Sequence, residues 1–159
     1  MHFATADLYD EYTDDVQVGQ PMFNDYGGNK RFCGAISTLK VHEDNTLVRA
    51  ALEQEGQGRV LVIDGGASLR CALVGDMLAQ LAKDNGWAGI IVSGCIRDAA
   101  VIATIAIGVK ALNTNPKKSV KKGTGERDIV VNFAGITFAP SAYVYADEDG
   151  ILVSSRKLS

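Results

Sequence analysis

Two acidic residues and an arginine are spaced so that neighbouring loops of an α/β chain could bring them together: Asp76, then twenty residues, then Arg97-Asp98. Carboxylates are hard oxygen ligands for Mg²⁺ or Mn²⁺, and Mg²⁺ keeps several waters, so one or two aspartates suffice to hold it. Arg97 offers a planar fork of donors for a carboxylate or a developing enolate. Gly75, lacking a Cβ, lets the backbone N–H groups around Asp76, Met77 and Leu78 approach an anion at a helix N-terminus. Each residue also has a plainer use. Either Asp can cap a helix, Arg97 can pair with a nearby Asp, and a turn before a helix also favours Gly.

The elements that must position these residues are legible from periodicity. Arg59 to Asp64 is an apolar run ending at Gly65-Gly66, Asp76 to Asn85 is an amphipathic helix closed by Gly86, and Gly89 to Val92 is a second buried strand. A further helix begins near Asp98. Strand, helix and strand in that order predict a parallel pair with a right-handed crossover, and loops at the carboxyl ends of such strands commonly build sites. Upstream, the pattern predicts a helix over 5–12 capped by Thr5, a loop over 21–30, a strand over 32–41 and a helix capped by Asn45 ending near Gly56. Beyond Gly108, short strand candidates at 109–112, 129–133, 136–138, 143–146 and 151–154 predict antiparallel or mixed sheet. The expectation is one layered α/β domain over residues 1–159 with a β-rich C-terminal half.

Composition excludes several function classes. At 159 residues the chain suits one core. A net charge of −3 argues against a general nucleic-acid binder. No stretch reaches the roughly 18 apolar residues of a membrane span, and residues 1–12, with Asp7, Asp10 and Glu11, carry no targeting pattern. Cys33, Cys71 and Cys95 are widely spaced with no CxxC pair, and read as reduced and buried. The terminal Lys-Leu-Ser is not a peroxisomal address, leaving the cytoplasm as the expected compartment.

Other motifs are weaker. Gly65-Gly66-Ala67-Ser68 lacks the Gly-Lys-Ser/Thr end of a P-loop and reads as a turn, and Gly123-Thr124-Gly125 is no dinucleotide fingerprint. Ser68 and Ser93 lack a nucleophile elbow, and Cys95 has no visible His partner. His2 and His42 stand at no metal-ligand spacing. Trp87 reads as a packing residue, and the basic cluster Lys117, Lys118, Lys121 and Lys122 reads first as a solvated loop, with contact to RNA or an acidic partner as the alternative.

Set within longer stretches, the D-x20-R-D spacing becomes specific. DYGGNKRFCGAI at 25–36, RVLVIDGGASLRCALVGDMLAQLAKDNGWAGIIVSGCIRD at 59–98 and VNFAGITFAPSAYVYADEDGILVS at 131–154 resemble the class II 4-hydroxy-4-methyl-2-oxoglutarate aldolases and the related regulators of ribonuclease activity A. The resemblance covers nearly the whole chain. It implies a swivelling β/β/α fold and a ring-shaped homotrimer with sites between subunits. It further implies that Arg97 contacts the pyruvyl portion of a 2-oxo acid, that Asp98 binds a divalent metal, that Asp76 holds a metal-bound water, and that backbone groups from Gly75 to Leu78 receive the substrate carboxylate. The implied activity is a metal-dependent lyase with oxaloacetate decarboxylase activity. The rival is a non-enzymatic protein that binds and inhibits ribonuclease E or a related partner. Some regulators lack the full signature, whereas Asp76, Arg97 and Asp98 are all present here. Longer aldolases add a C-terminal acidic residue that reaches a neighbour's site, and nothing here matches it, so decarboxylation is expected ahead of efficient cleavage of larger substrates.

Overall fold

Val60, Leu61, Val62 and Ile63 are each fully buried, yet successive side chains enter different cores. Val60 and Val62 meet Phe32, Ile36 and the C-terminal strands, while Leu61 and Ile63 meet the helices. This is the period-two geometry of a strand with both faces covered, which is why the run is continuously apolar instead of alternating. The structure, a computed structural model, describes residues 2–158. Met1 and Ser159, which bound the N-terminal stretch and C-terminal tripeptide read above, lie outside the described residues.

In chain order the elements are α1 (Thr5–Glu11), β1 (Val16–Val18), β2 (Asn24–Asp25), β3 (Phe32–Lys40), α2 (Thr46–Leu52), β4 (Val60–Val74), α3 (Asp76–Asp84), β5 (Gly89–Ile96), α4 (Ala99–Ile102), β6 (Gly108–Thr114), β7 (Glu126–Arg127), β8 (Val131–Phe133), β9 (Ile136–Phe138), β10 (Tyr143–Asp147) and β11 (Gly150–Ser154). The main sheet runs β1-β11-β10-β3-β4-β5-β6-β2, with β7 beside β3 and a separate β8-β9 hairpin. Strands β3 to β6 are mutually parallel, and the β1, β10, β11 and β2 pairings are antiparallel.

Two cores make three layers. Val48, Ala51 and Leu52 of α2, Leu78, Ala79 and Ala82 of α3, and Ile102 of α4 pack on one face of the parallel strands. Val131, Ile136, Phe138, Val144, Ile151 and Val153 cover the other face, giving the β/β/α layering expected of an α/β fold with a β-rich C-terminal half. Burying each such large side chain contributes about 1.5–3 kcal/mol.

Several boundaries differ from the periodicity reading. Strand β4 does not stop at Gly65-Gly66. It kinks there, with Gly66 and Ala67 at positive φ, and the pairing with β5 resumes after register shifts between Asp64 and Val74. The glycines thus mark a bulge within a strand. Its partner β5 likewise runs on to Ile96, because the buried amides of Gly94–Ile96 need ladder partners. Strand β6 is parallel to β5, so the change to antiparallel pairing comes later than Gly108. Thr5 does not cap α1: it is the first helical residue, and its N–H and Oγ1 donate to the Asp147 carboxylate at 2.8 and 2.7 Å. Helix α2 ends at Leu52, and its first turn is held by Asp44, not by a side-chain cap from Asn45.

Candidate active site

Strands β4 and β5 deliver their last residues to the same edge. Arg97 N–H donates to the Val74 carbonyl at 2.9 Å, tying the start of α3 to the loop after β5. Gly75 is the N-cap of α3, in extended conformation, so Asp76 is the first helical residue and not the cap. The Asp76 carboxylate turns back through Oδ1 to accept the Met77 N–H at 2.9 Å.

Asp98 occupies the N-cap position of the four-residue α4, but its side chain does not cap that helix. It adopts left-handed φ 60 and ψ 40, a conformation that Asp tolerates better than most residues. From there Oδ2 reaches across to accept the Asp76 N–H at 3.1 Å. Neither Asp is therefore an ordinary cap of its own helix. Gly75 is what permits this approach: a Cβ there would stand 2.8 Å from Asp98 Oδ2 and 3.6 Å from Arg97 Nε. Arg97 lies exposed beside them, with Nη1 3.4 Å from the Pro116 carbonyl.

Gly75, Asp76, Met77, Leu78, Arg97 and Asp98, the six residues singled out by spacing and resemblance, line one cavity of about 570 Å³. Sequence reasoning missed the rest of it: Asn45 and Arg49 from α2 and its approach, and Lys118, Ser119 and Lys121 from the segment after β6. Two of the four lysines read as a solvated loop thus face the cavity. The available signal was a dense lysine run in a chain of net negative charge. Asn45 Oδ1 and Ser119 Oγ are buried and take no hydrogen bond among the described residues, a state that ordered water or a ligand ordinarily relieves.

The donor chemistry can be tested against a metal. Among the described residues no group of three or more His, Cys, Asp and Glu gathers as a ready cage. Asp76 and Asp98 each use one carboxylate oxygen on a backbone N–H, and their other oxygens take no hydrogen bond among the described residues. Two available hard oxygens, with Gly75 leaving room for one carboxylate, fit a divalent cation that retains most of its waters. The N-terminus of α3 already receives anionic oxygens at Asp76 and Met77. The Leu78 N–H takes no partner among the described residues. Electrostatically, Arg49, Arg97, Lys118 and Lys121 set four cations around two carboxylates.

The remaining candidates fall elsewhere. His42 and Ser68 belong to a network around Glu43, whose carboxylate accepts from Arg70 Nε and Ser68 Oγ, both at 2.6 Å. Those hydrogen bonds, Arg70 foremost, hold Glu43 below its ordinary range. All three cysteines are buried and free, and burial pushes their thiols upward, against a nucleophilic role. Trp87 is buried, donating to the Gln54 carbonyl at 3.0 Å, as a packing residue does.

Residues 5–153 match the model of the RraA-like family, described as Aldolase/RraA. A protein of Aromatoleum aromaticum, provisionally named 4-hydroxy-4-methyl-2-oxoglutarate aldolase, is 58% identical over 158 residues, covering 99% of this chain and 99% of that protein. The solved Thermus thermophilis structure described as the RNA-processing inhibitor RraA is 44% identical, with a TM-score of 0.96, covering 100% of this chain and 96% of that one. A Geobacillus kaustophilus structure described as an S-adenosylmethionine:2-dimethylmenaquinone methyltransferase is 51% identical, with a TM-score of 0.97, covering 98% and 97%. No helix among the described residues is long and apolar enough to cross a membrane. With this coverage and identity, the chain belongs to the RraA-like family, which takes in both aldolases and RraA proteins.

Proposed function

We propose that the chain is a divalent-metal-dependent carbon–carbon lyase that cleaves 4-hydroxy-4-methyl-2-oxoglutarate or related 2-oxo acids and decarboxylates oxaloacetate. The observation that carries this reading is the closure of the Asp98 carboxylate onto the start of α3 over Gly75, with Arg97 beside it. That arrangement gathers hard oxygen donors and a guanidinium at a helix N-terminus. A divalent cation, Mg²⁺ or Mn²⁺, held through Asp98 supplies Lewis-acid polarisation of the 2-oxo group.

Arg97 orients the pyruvyl end through its planar fork, and the free Leu78 N–H at the α3 terminus receives the substrate carboxylate. In the retro-aldol reaction a water ordered by Asp76 takes the 4-hydroxyl proton as the C3–C4 bond breaks. The bonding pair enters the C2 carbonyl to give pyruvate enolate, which Arg97 stabilises and which is then protonated at C3. From oxaloacetate the same enolate forms as carbon dioxide leaves. Lys118 and Lys121 meet the second carboxylate of such substrates.

Met77, 71% exposed, and Val120 leave apolar surface at the cavity, and Val101 extends it in the adjoining cleft that Met77 also lines. In our reading a neighbouring subunit of a homotrimer covers it, so that sites lie between subunits. The reading also puts the protein in the cytoplasm, where its three thiols stay reduced.

The test is pyruvate release from both substrates with Mg²⁺ or Mn²⁺ and with excess chelator. Metal-dependent release from both, above the metal-only background, supports the shared enolate route, and release from oxaloacetate alone restricts it to decarboxylation. No release by folded oligomer favours the second reading, a regulator that binds ribonuclease E or a related protein. The likeness to the Thermus RNA-processing inhibitor supports that alternative.

A further inference from the structure

Asp44 is 1% exposed and its two carboxylate oxygens serve different parts of the chain. Oδ1 accepts the Thr46 N–H at 2.9 Å and the Thr46 hydroxyl at 2.8 Å, fixing the first turn of α2. Oδ2 accepts the Lys122 N–H at 2.9 Å, the Thr124 N–H at 3.2 Å and the Thr124 hydroxyl at 3.1 Å. The two halves are stitched together twice more, since Gly123 N–H donates to Thr46 Oγ1 at 3.2 Å and Val120 N–H to the Glu43 carbonyl at 3.0 Å. Both halves matter to the cavity. One carries Asn45 and Arg49, the other Lys118, Ser119 and Lys121.

We propose that Asp44 is a positioning residue for the active site: a buried carboxylate that locks α2 and the segment 117–124 into one wall, so that Lys118 and Lys121 meet the distal carboxylate of the substrate. The physical reason for a carboxylate is its acceptor capacity. Five donors converge on two oxygens, which a neutral amide cannot accommodate because one of its ends is itself a donor. A segment of exposed lysines has little apolar burial of its own and repels itself, so directional bonds order it: the Ala72 N–H to the Lys117 carbonyl at 2.8 Å and the Val120 N–H to Glu43 hold residues 117–120, and Asp44 holds 122–124. Burial alone pushes the carboxyl of Asp44 up; the donors of Thr46, Thr124 and Lys122 outweigh it and hold it well below the usual carboxylate range.

The kinetic part of this inference rests on the lyase reading, so its test pairs a structural with a kinetic measurement on the full-length protein. In Asp44→Asn, amide hydrogen exchange at Lys122 and Thr124 speeds up by about tenfold or more, while amides of β5 such as Ile91 keep their protection. KM for oxaloacetate rises by about tenfold, with kcat within about threefold. Thr124→Val reproduces a smaller version of both effects and Thr124→Ser, which keeps the hydroxyl, restores wild-type values. This pair carries the test if Asp44→Asn does not fold. Unchanged exchange at Lys122 and Thr124 overturns the proposal, and so does loosened exchange with an unchanged KM, which would make Asp44 structural only. A wild-type protein that releases no pyruvate sinks the lyase reading alone. The positioning role is then read from the calorimetric Kd for oxaloacetate, and equal values in wild type and variant overturn it.

Discussion

The cavity has two walls held by different physics. The wall with Gly75, Asp76, Arg97 and Asp98 stands on the last residues of β4, Cys71 to Val74, and on β5, all of them buried. In the other wall α2 shares that apolar core through Val48, Ala51 and Leu52, but residues 117–124 are exposed apart from Ser119 and are tied to it largely by hydrogen bonds, most of which converge on one buried carboxylate. Apolar burial is spread over many residues, so the first wall tolerates loss of any one contact, whereas the second depends on a few directional bonds. Chemistry that needs fixed geometry sits on the first wall. The second wall, rich in flexible lysines, suits the choice of substrate.

That contrast can be broken or sharpened by experiment, and the largest effects belong to the first wall. Arg97→Ala or Asp98→Ala is expected to lower kcat/KM for oxaloacetate by about a thousandfold, with little change in Tm because both side chains are exposed. Steady-state pyruvate assays beside thermal melts check this, and retained turnover in well-folded variants would remove both residues from the mechanism. Gly75→Ala comes next. Its added methyl meets Asp98 Oδ2 at 2.8 Å, so activity should fall by about tenfold to a hundredfold as the carboxylate is displaced, with little change in Tm because the displaced atom is the end of an exposed side chain. Wild-type kinetics in that variant would show that the close approach is dispensable.

Effects at the second wall should be smaller and confined to binding. Lys118→Ala and Lys121→Ala are expected to raise KM for oxaloacetate by about tenfold each, leaving kcat nearly unchanged, and a drop in kcat at constant KM would move them into the chemistry. The smallest effect is one of pH. Because the carboxyl of Asp44 is depressed in the folded state, its contribution is fully present above the unfolded value of 3.8 and is lost as pH falls through the lower folded value. The Tm difference between wild type and Asp44→Asn should therefore hold constant from about pH 5 to 7 and shrink only in stronger acid. A difference that disappears already near neutrality would contradict the hydrogen-bonded carboxylate.

How far the sequence could be read follows the same division. The core strands 60–63 and 89–92 and helix 76–84 were legible because apolar period and glycine punctuation report local geometry. The continuation of β4 past Gly65-Gly66 was not, because pairing with β5 overrides a turn signal. Likewise Asp76 and Asp98, legible singly as helix caps, turn out to be linked to one another's surroundings across 22 residues. The capping of α2 passed from the expected Asn45 to Asp44, whose other partners lie 78 and 80 residues away.

By itself the amino-acid sequence determined the α/β class, the parallel β4-α3-β5 unit and the burial of the three cysteines, which depend on local pattern, and, through spacing together with the family resemblance, the identity of the six residues that share a cavity. Only the tertiary structure decided that Lys118 and Lys121 join that cavity, that Asp98 bends left-handed to reach the start of α3, and that Asp44 fastens α2 to residues 122 and 124. Those contacts join segments far apart in the chain through single directional bonds, and such bonds leave no periodic trace in the order of residues.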